Sequence, residues 1–179
     1  MADRRGLRIA LTTVAIGVVA AGVLIAASRR SPGLAPDFSV PDLAGQAVRL
    51  SALRGKVVLV NLWTTWCPPC REEMPSMERL HRRLGPQGLV LLAVSQDDGG
   101  RAVVEPFVRG LGLTFPVLID PEHQVGSAYG VWGYPETFIV DRDGRIAERV
   151  IGPRNWDAPE QVVALERLLA AGGPDTGTP

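Results

Sequence analysis

The sequence predicts an α/β fold with a central, mostly parallel sheet, an antiparallel edge and helices on both faces. Three observations predict it. Residues 56–63 and 89–94 are almost unbroken apolar runs rich in Val and Leu, the pattern of strands buried on both faces. Between them Met74, Met77, Leu80 and Leu84 recur at helical spacing, so a helical crossover joins two parallel strands. Residues 137–140 and 145–150 flank the turn Asp141-Arg142-Asp143-Gly144 and predict a hairpin, hence the antiparallel edge.

In chain order, residues 1–8 form a basic segment and residues 9–27 are nineteen uncharged, mainly aliphatic positions, flanked by Arg4, Arg5 and Arg8 before and Arg29 and Arg30 after. About 20 apolar residues at 1.5 Å rise match a bilayer, so this stretch predicts a transmembrane helix and anchor. A cleaved signal, with Ala26-Ala27-Ser28 as its small-x-small site, is the alternative and would give a secreted form. Arg4-Arg5 is a weak match to a twin-arginine signal, and the flanking arginines are too even to fix orientation. Residues 28–37, with Pro32, Gly33 and Pro36, read as linker, residues 38–171 as one folded domain, and residues 172–179 as a polar tail.

Within the domain, residues 38–40 and 46–50 predict two short strands of a hairpin, and Ser51 is placed to cap a turn ending at Gly55. The strand over 56–63 is followed by a helix over 67–84, which Pro75 should kink and Gly85-Pro86-Gln87-Gly88 should stop. After the strand over 89–94, residues 100–111 carry Val103, Val104, Phe107, Val108 and Leu111 at helical spacing, an added central helix. Residues 117–119 predict a strand, and Asp120-Pro121-Glu122 predicts a cap, first-turn proline and acidic start of a helix reaching Tyr129. Asp157 and Glu160 resemble a capping box before a final helix bearing Val162, Val163, Leu165, Leu168 and Leu169.

The chain is electroneutral overall, but residues 31–179 hold fourteen basic and eighteen acidic groups, which argues against nucleic-acid binding. Its only cysteines, Cys67 and Cys70, stand in Trp66-Cys67-Pro68-Pro69-Cys70. Two thiols at this spacing can close a disulfide and pass two electrons by thiol exchange. Placed between strand and helix, Cys67 falls at a helix N-terminus, where unpaired N–H groups and the helix dipole favour a thiolate; it is the expected nucleophile, and Cys70 the resolving thiol. Pro68 and Pro69 suit a first turn that needs no backbone donors. Two readings compete. A structural zinc usually takes four Cys or His ligands, and beyond this pair only His81 and His123 remain, with no second paired cluster, so no metal is expected; a purely structural crosslink over so short a loop adds little stability.

Together these residues resemble the thioredoxin superfamily, and within it the membrane-anchored TlpA/ResA/CcmG (DsbE) group of thiol-disulfide oxidoreductases. The resemblance covers about residues 35–171 and rests on Asn61-Leu62-Trp63-Thr64-Thr65-Trp66-Cys67-Pro68-Pro69-Cys70, on the added helix, and on Gly130-Val131-Trp132-Gly133-Tyr134-Pro135-Glu136-Thr137-Phe138. It implies a thioredoxin-like fold without cofactor and a redox-active pair at Cys67 and Cys70. It also implies a cis proline at Pro135, facing the disulfide at the entry to an edge strand, and a substrate chain bound near Trp66, Pro68, Pro69, Tyr134 and Glu136. Thioredoxin carries a buried aspartate where this chain has Asn61, so another carboxylate or water must move the proton. The resemblance offers Glu73, as in ResA-like proteins, and Glu136, as in CcmG, while the alternative for Glu73 is a solvated acid that complements the helix dipole. It further implies a reductase on the periplasmic side of the cytoplasmic membrane, with apocytochrome c as protein disulfide substrate and a CcdA- or DsbD-like electron donor. A disulfide-forming oxidant, a peroxiredoxin-like thiol peroxidase and a non-enzymatic anchored binding module are the alternatives.

Overall fold

A computed structural model of the chain describes residues 33–171. Residues 1–32 and 172–179, with the expected anchor and tail, lie outside the described residues. Among the described residues no helix is long and apolar enough to cross a membrane.

The sheet grows outward from the strand Val57–Trp63 (β3), buried along its whole length. A seven-residue strand with no exposed face must satisfy its backbone on both sides. On one side it pairs in parallel with Leu89–Ser95 (β4), from Val57 opposite Leu89 to Trp63 opposite Ser95. On the other it pairs antiparallel with Glu136–Val140 (β6). Val117–Ile119 (β5) and Ile146–Ile151 (β7) complete a five-stranded sheet in the order β5-β4-β3-β6-β7. A separate antiparallel hairpin joins Ser39–Pro41 (β1) to Ala47–Arg49 (β2).

Two of the four pairings in the main sheet are parallel and two antiparallel, so the sheet is evenly mixed rather than mostly parallel. The strand that follows Pro135 is correspondingly interior, not an edge. An apolar run records burial on both faces, and β6 is as enclosed as β4; burial does not reveal chain direction.

Alternation along β3 divides the core. Val57, Leu59 and Trp63 pack with Cys70, Met74, Met77, Leu80 and Leu84 of the helix Pro68–Leu84 (α1), with Val104 and Val108 of Arg101–Leu111 (α2), and with Val162 and Leu165 of Pro159–Ala170 (α4). Val58, Val60 and Leu62 face Val40, Leu50, Val125 and Tyr129, so the hairpin and the short helix Gln124–Ala128 (α3) cover the other side. Helix α1 continues past Pro75 to Leu84, and Arg82 and Arg83 in its last turn complement the dipole.

Several local expectations change once tertiary partners enter. Leu34 bridges to Arg145, Ala35 is buried and its N–H donates to Gly144 O, so this end of the expected linker is laid against the domain. Ser51 caps no helix; its N–H and hydroxyl donate to the Asp37 carboxylate at 2.9 and 2.8 Å. Helix α3 starts at Gln124, not beside Asp120, although the Asp120 carboxylate accepts from the N–H groups of Gln124 and Val125. Asp157 makes no capping box, because Arg79 of α1 engages its carboxylate and Ala158 takes the N-cap position.

Candidate active site

The site forms where β3 ends and α1 begins. Cys67 is the N-cap of α1, with Pro68 and Pro69 opening the first turn, and its Sγ accepts the Cys70 N–H at 3.2 Å. Cys67 and Cys70 are joined in a disulfide, and both are buried. The turn before them is anchored by Asp97, a residue that local pattern did not single out. Its carboxylate accepts from the Thr65 N–H at 2.9 Å, the Thr65 hydroxyl at 2.6 Å and the Ser95 hydroxyl at 2.9 Å. A buried carboxylate needs such donors, and here they fix the loop that carries Trp66 and Cys67.

Trp66 is 68% exposed, and its ring meets that of Tyr134 edge-on at 6.1 Å. This contact sets the loop after α3 beside the residue that precedes Cys67. The Tyr134–Pro135 peptide bond in that loop is cis. Pro68 is exposed and Pro69 half-buried. Beyond them Trp132, 97% exposed, lines with Tyr134, Pro135, Arg149 and Ile151 an open hollow of about 270 Å³. Trp132 belongs to the stretch that carried the resemblance, and its full exposure could be read only from the folded chain.

Glu73 is not a solvated acid. It is 3% exposed and accepts from Asn61 Nδ2 at 2.9 Å through Oε1, and from Trp156 Nε1 at 2.9 Å and the Arg154 N–H at 3.1 Å through Oε2. Burial pushes its carboxyl above the ordinary carboxylate range, against the opposing hydrogen bonds from Trp156, Arg154 and Asn61 and the Arg154 charge. Asn61 Nδ2 also donates to Thr137 Oγ1 at 2.9 Å, tying the acid to β6. Trp156 gave one signal in sequence: a lone tryptophan in a polar stretch, whose indole N–H needs a partner if buried.

Glu136 is separated from this cluster. Successive residues of a strand point to opposite faces, and Thr137 is the one that reaches Asn61. The Glu136 carboxylate is buried and held by Arg149, whose guanidinium also donates to Gly130 O at 3.0 Å and lies over the Phe138 ring. Of the two histidines, His81 packs edge-on against Phe115, while His123 lies near Tyr134. Among the described residues no group of three or more His, Cys, Asp or Glu is placed to hold a metal.

A cysteine pair at a helix N-terminus, a cis proline loop beside it and a mixed sheet behind it define a thioredoxin-like thiol-disulfide oxidoreductase. Residues 33–149 match the AhpC/TSA family, and the chain belongs to that thioredoxin-like family. It is 44% identical over 118 residues to the thiol-disulfide oxidoreductase ResA of Geobacillus thermodenitrificans, covering 66% of this chain and 67% of that one. To the ResA of Bacillus thuringiensis it is 42% identical over 126 residues, covering 70% and 72%. The structure is similar to that of a putative thiol:disulfide interchange protein DsbE from Chlorobium tepidum, with a TM-score of 0.68 and 33% identity over 80% of this chain and 98% of that chain.

Proposed function

We propose that the protein is an extracytoplasmic, membrane-tethered reductase of protein disulfides, with the Cys-X-X-Cys-His disulfide of apocytochrome c as its client. The observation that carries the exchange chemistry is Cys67 at the N-cap of α1, its sulfur already accepting a backbone N–H. In the reduced enzyme that donor and the helix terminus favour the Cys67 thiolate. The thiolate attacks one sulfur of the substrate disulfide, a mixed disulfide forms, and the other substrate sulfur leaves as a thiolate and takes a proton. Cys70 then gives its proton to a carboxylate and attacks Cys67, releasing the second substrate thiol and closing the Cys67–Cys70 disulfide; the substrate has gained two electrons. Glu73 is the proposed proton acceptor, one helical turn beyond Cys70, and the carboxyl whose affinity for a proton burial has raised.

Trp66, Pro68 and Pro69 flank the cysteines in sequence and Trp66 meets Tyr134 edge-on, so these residues with Pro135 form the proposed docking wall, next to which Arg149 holds the Glu136 carboxylate. A reductase outside the cytoplasm needs electrons from within, so residues 9–27 serve as the anchor that keeps the domain near a CcdA- or DsbD-like membrane donor. The thiol-disulfide oxidoreductase names of the relatives favour thiol exchange over the thiol peroxidase, and the CcmG-like Tyr134-Pro135-Glu136-Thr137-Phe138 stretch supports the reducing direction over the oxidant.

Deletion of the protein tests the reading. Covalent c-type cytochromes should fall and recover with added thiol reductant. Normal haem attachment together with secreted proteins left unoxidised would assign the opposite direction. Protease added to intact spheroplasts should remove the domain; protection until lysis would overturn the placement.

A further inference from the structure

Among the described residues, His123 is the non-glycine position with a left-handed backbone, φ 54°. L-residues avoid that region, so it persists only where neighbours over-determine it. Here the His123 N–H donates to Asp120 O at 3.1 Å. The buried Asp120 carboxylate is fixed in turn by the N–H groups of Gln124 and Val125 and by Gln96 Nε2, at 3.0, 2.8 and 2.7 Å. The imidazole so placed joins two loops. Its Nε2 lies 2.9 Å from Asp98 Oδ1 and its Nδ1 3.4 Å from the Tyr134 hydroxyl. A carboxylate only accepts, so in the neutral ring Nε2 carries the proton and Nδ1 accepts from Tyr134.

These contacts close a circuit around the rim of the disulfide. Tyr134 meets Trp66, Trp66 follows Thr65, Thr65 is clamped by Asp97, and Asp97 adjoins Asp98, which returns through His123 to Tyr134. The Tyr134 hydroxyl stays a donor in this setting, because burial and the nearby charges of Asp120, Asp98 and Asp97 all oppose its ionisation. Both bonds to the His123 ring are made by side chains from other loops, so neither is needed to build α3.

We propose that His123 is a positioning residue for substrate: by holding the Tyr134 hydroxyl against the Asp98 loop, it fixes the Trp66–Tyr134 wall that receives the client polypeptide. The inference rests on the docking role of that wall proposed above. It assigns His123 no part in bond making; the ring sets where Tyr134 stands before the sulfur chemistry begins.

Asparagine tolerates a left-handed backbone, so His123→Asn removes the imidazole and keeps the local conformation. With a disulfide-closed Cys-X-X-Cys-His peptide as probe, His123→Asn should raise KM about fivefold while kcat moves less than about twofold. Asp98→Ala, at a side chain 92% exposed, should shift KM the same way by about twofold. In a double-mutant cycle, His123→Asn should add nothing to the effect of Tyr134→Phe, since both cut the same bond. An unchanged KM in His123→Asn, a fall in kcat alone, or full additivity with Tyr134→Phe overturns the proposal. Trp66→Ala separates the two levels. If Trp66→Ala and Tyr134→Phe raise KM and His123→Asn does not, only the role of His123 falls. If neither of them alters KM, the docking wall itself is misassigned and the inference falls with it.

Discussion

Asn61 Nδ2 donates to Glu73 Oε1 at 2.9 Å, linking the centre of the sheet to the helix that Cys67 caps. Thr137 takes the second Asn61 donor, and Trp156 and Arg154 supply the other carboxylate oxygen. Glu73 is therefore surrounded by donors, yet burial outweighs them and raises its affinity for a proton.

Replacing Asn61 with Asp should place a second carboxylate where that donor now stands. Two buried acids at hydrogen-bond distance cannot both ionise without strong repulsion, so Asn61→Asp should lose about 3 kcal/mol of stability at pH 8 and recover much of it at pH 4. Urea unfolding at the two pH values checks this, and an equal loss at both would trace the damage to packing instead.

Glu73→Gln removes the titration. Since burial raises the folded carboxyl above the ordinary glutamate value, the acid's stabilising contribution is complete below that ordinary value and is lost as pH rises through the raised one. The glutamine variant should gain stability relative to the parent between pH 4 and pH 8. Denaturant melts across that window measure the difference; a trend of opposite sign would mean that the donors, not burial, dominate.

With Cys70→Ser, Cys67 can attack a substrate disulfide but cannot be released, so a covalent adduct should accumulate on incubation with the disulfide peptide. Cys67→Ser should form no adduct and reduce nothing. Non-reducing electrophoresis and mass mapping decide it, and adducts on Cys70 of the Cys67→Ser protein would reverse the two roles.

Asp97→Ala leaves the Thr65 N–H, the Thr65 hydroxyl and the Ser95 hydroxyl without their shared acceptor. The cost should be about 2 to 3 kcal/mol, with slower peptide reduction because the Trp66–Cys67 turn is released. Asp97→Asn keeps an acceptor oxygen and should recover part of both. Thermal melts with peptide kinetics test the pair; wild-type behaviour of the alanine variant would remove Asp97 from the account of the site.

Local pattern determined much about this protein. The apolar run ending at Trp63, the helical spacing from Met74 to Leu84 and the two prolines after Cys67 each express a preference that one segment carries alone: burial, periodicity and tolerance of missing donors. The junction of strand and helix, and with it the cysteine pair at a helix N-terminus, was legible for that reason. The capping motifs at Ser51 and Asp157 were not, because Asp37 and Arg79 bind those side chains from elsewhere in the chain.

Only the tertiary structure decided which way β6 runs beside β3, since burial looks the same for either direction. It also decided the state of Glu73. Its sequence position, three residues after Cys70, suits a solvated acid as well as a buried one. What buries it is Trp156, eighty-three positions along the chain, with Asn61 from the facing strand. A carboxyl's affinity for a proton depends on the dielectric and donors that the whole fold assembles around it, so no local stretch encodes it. The same holds for Asp97 and His123: each is an ordinary polar residue in its own segment, and each becomes part of the site by reaching a loop that the chain visits elsewhere.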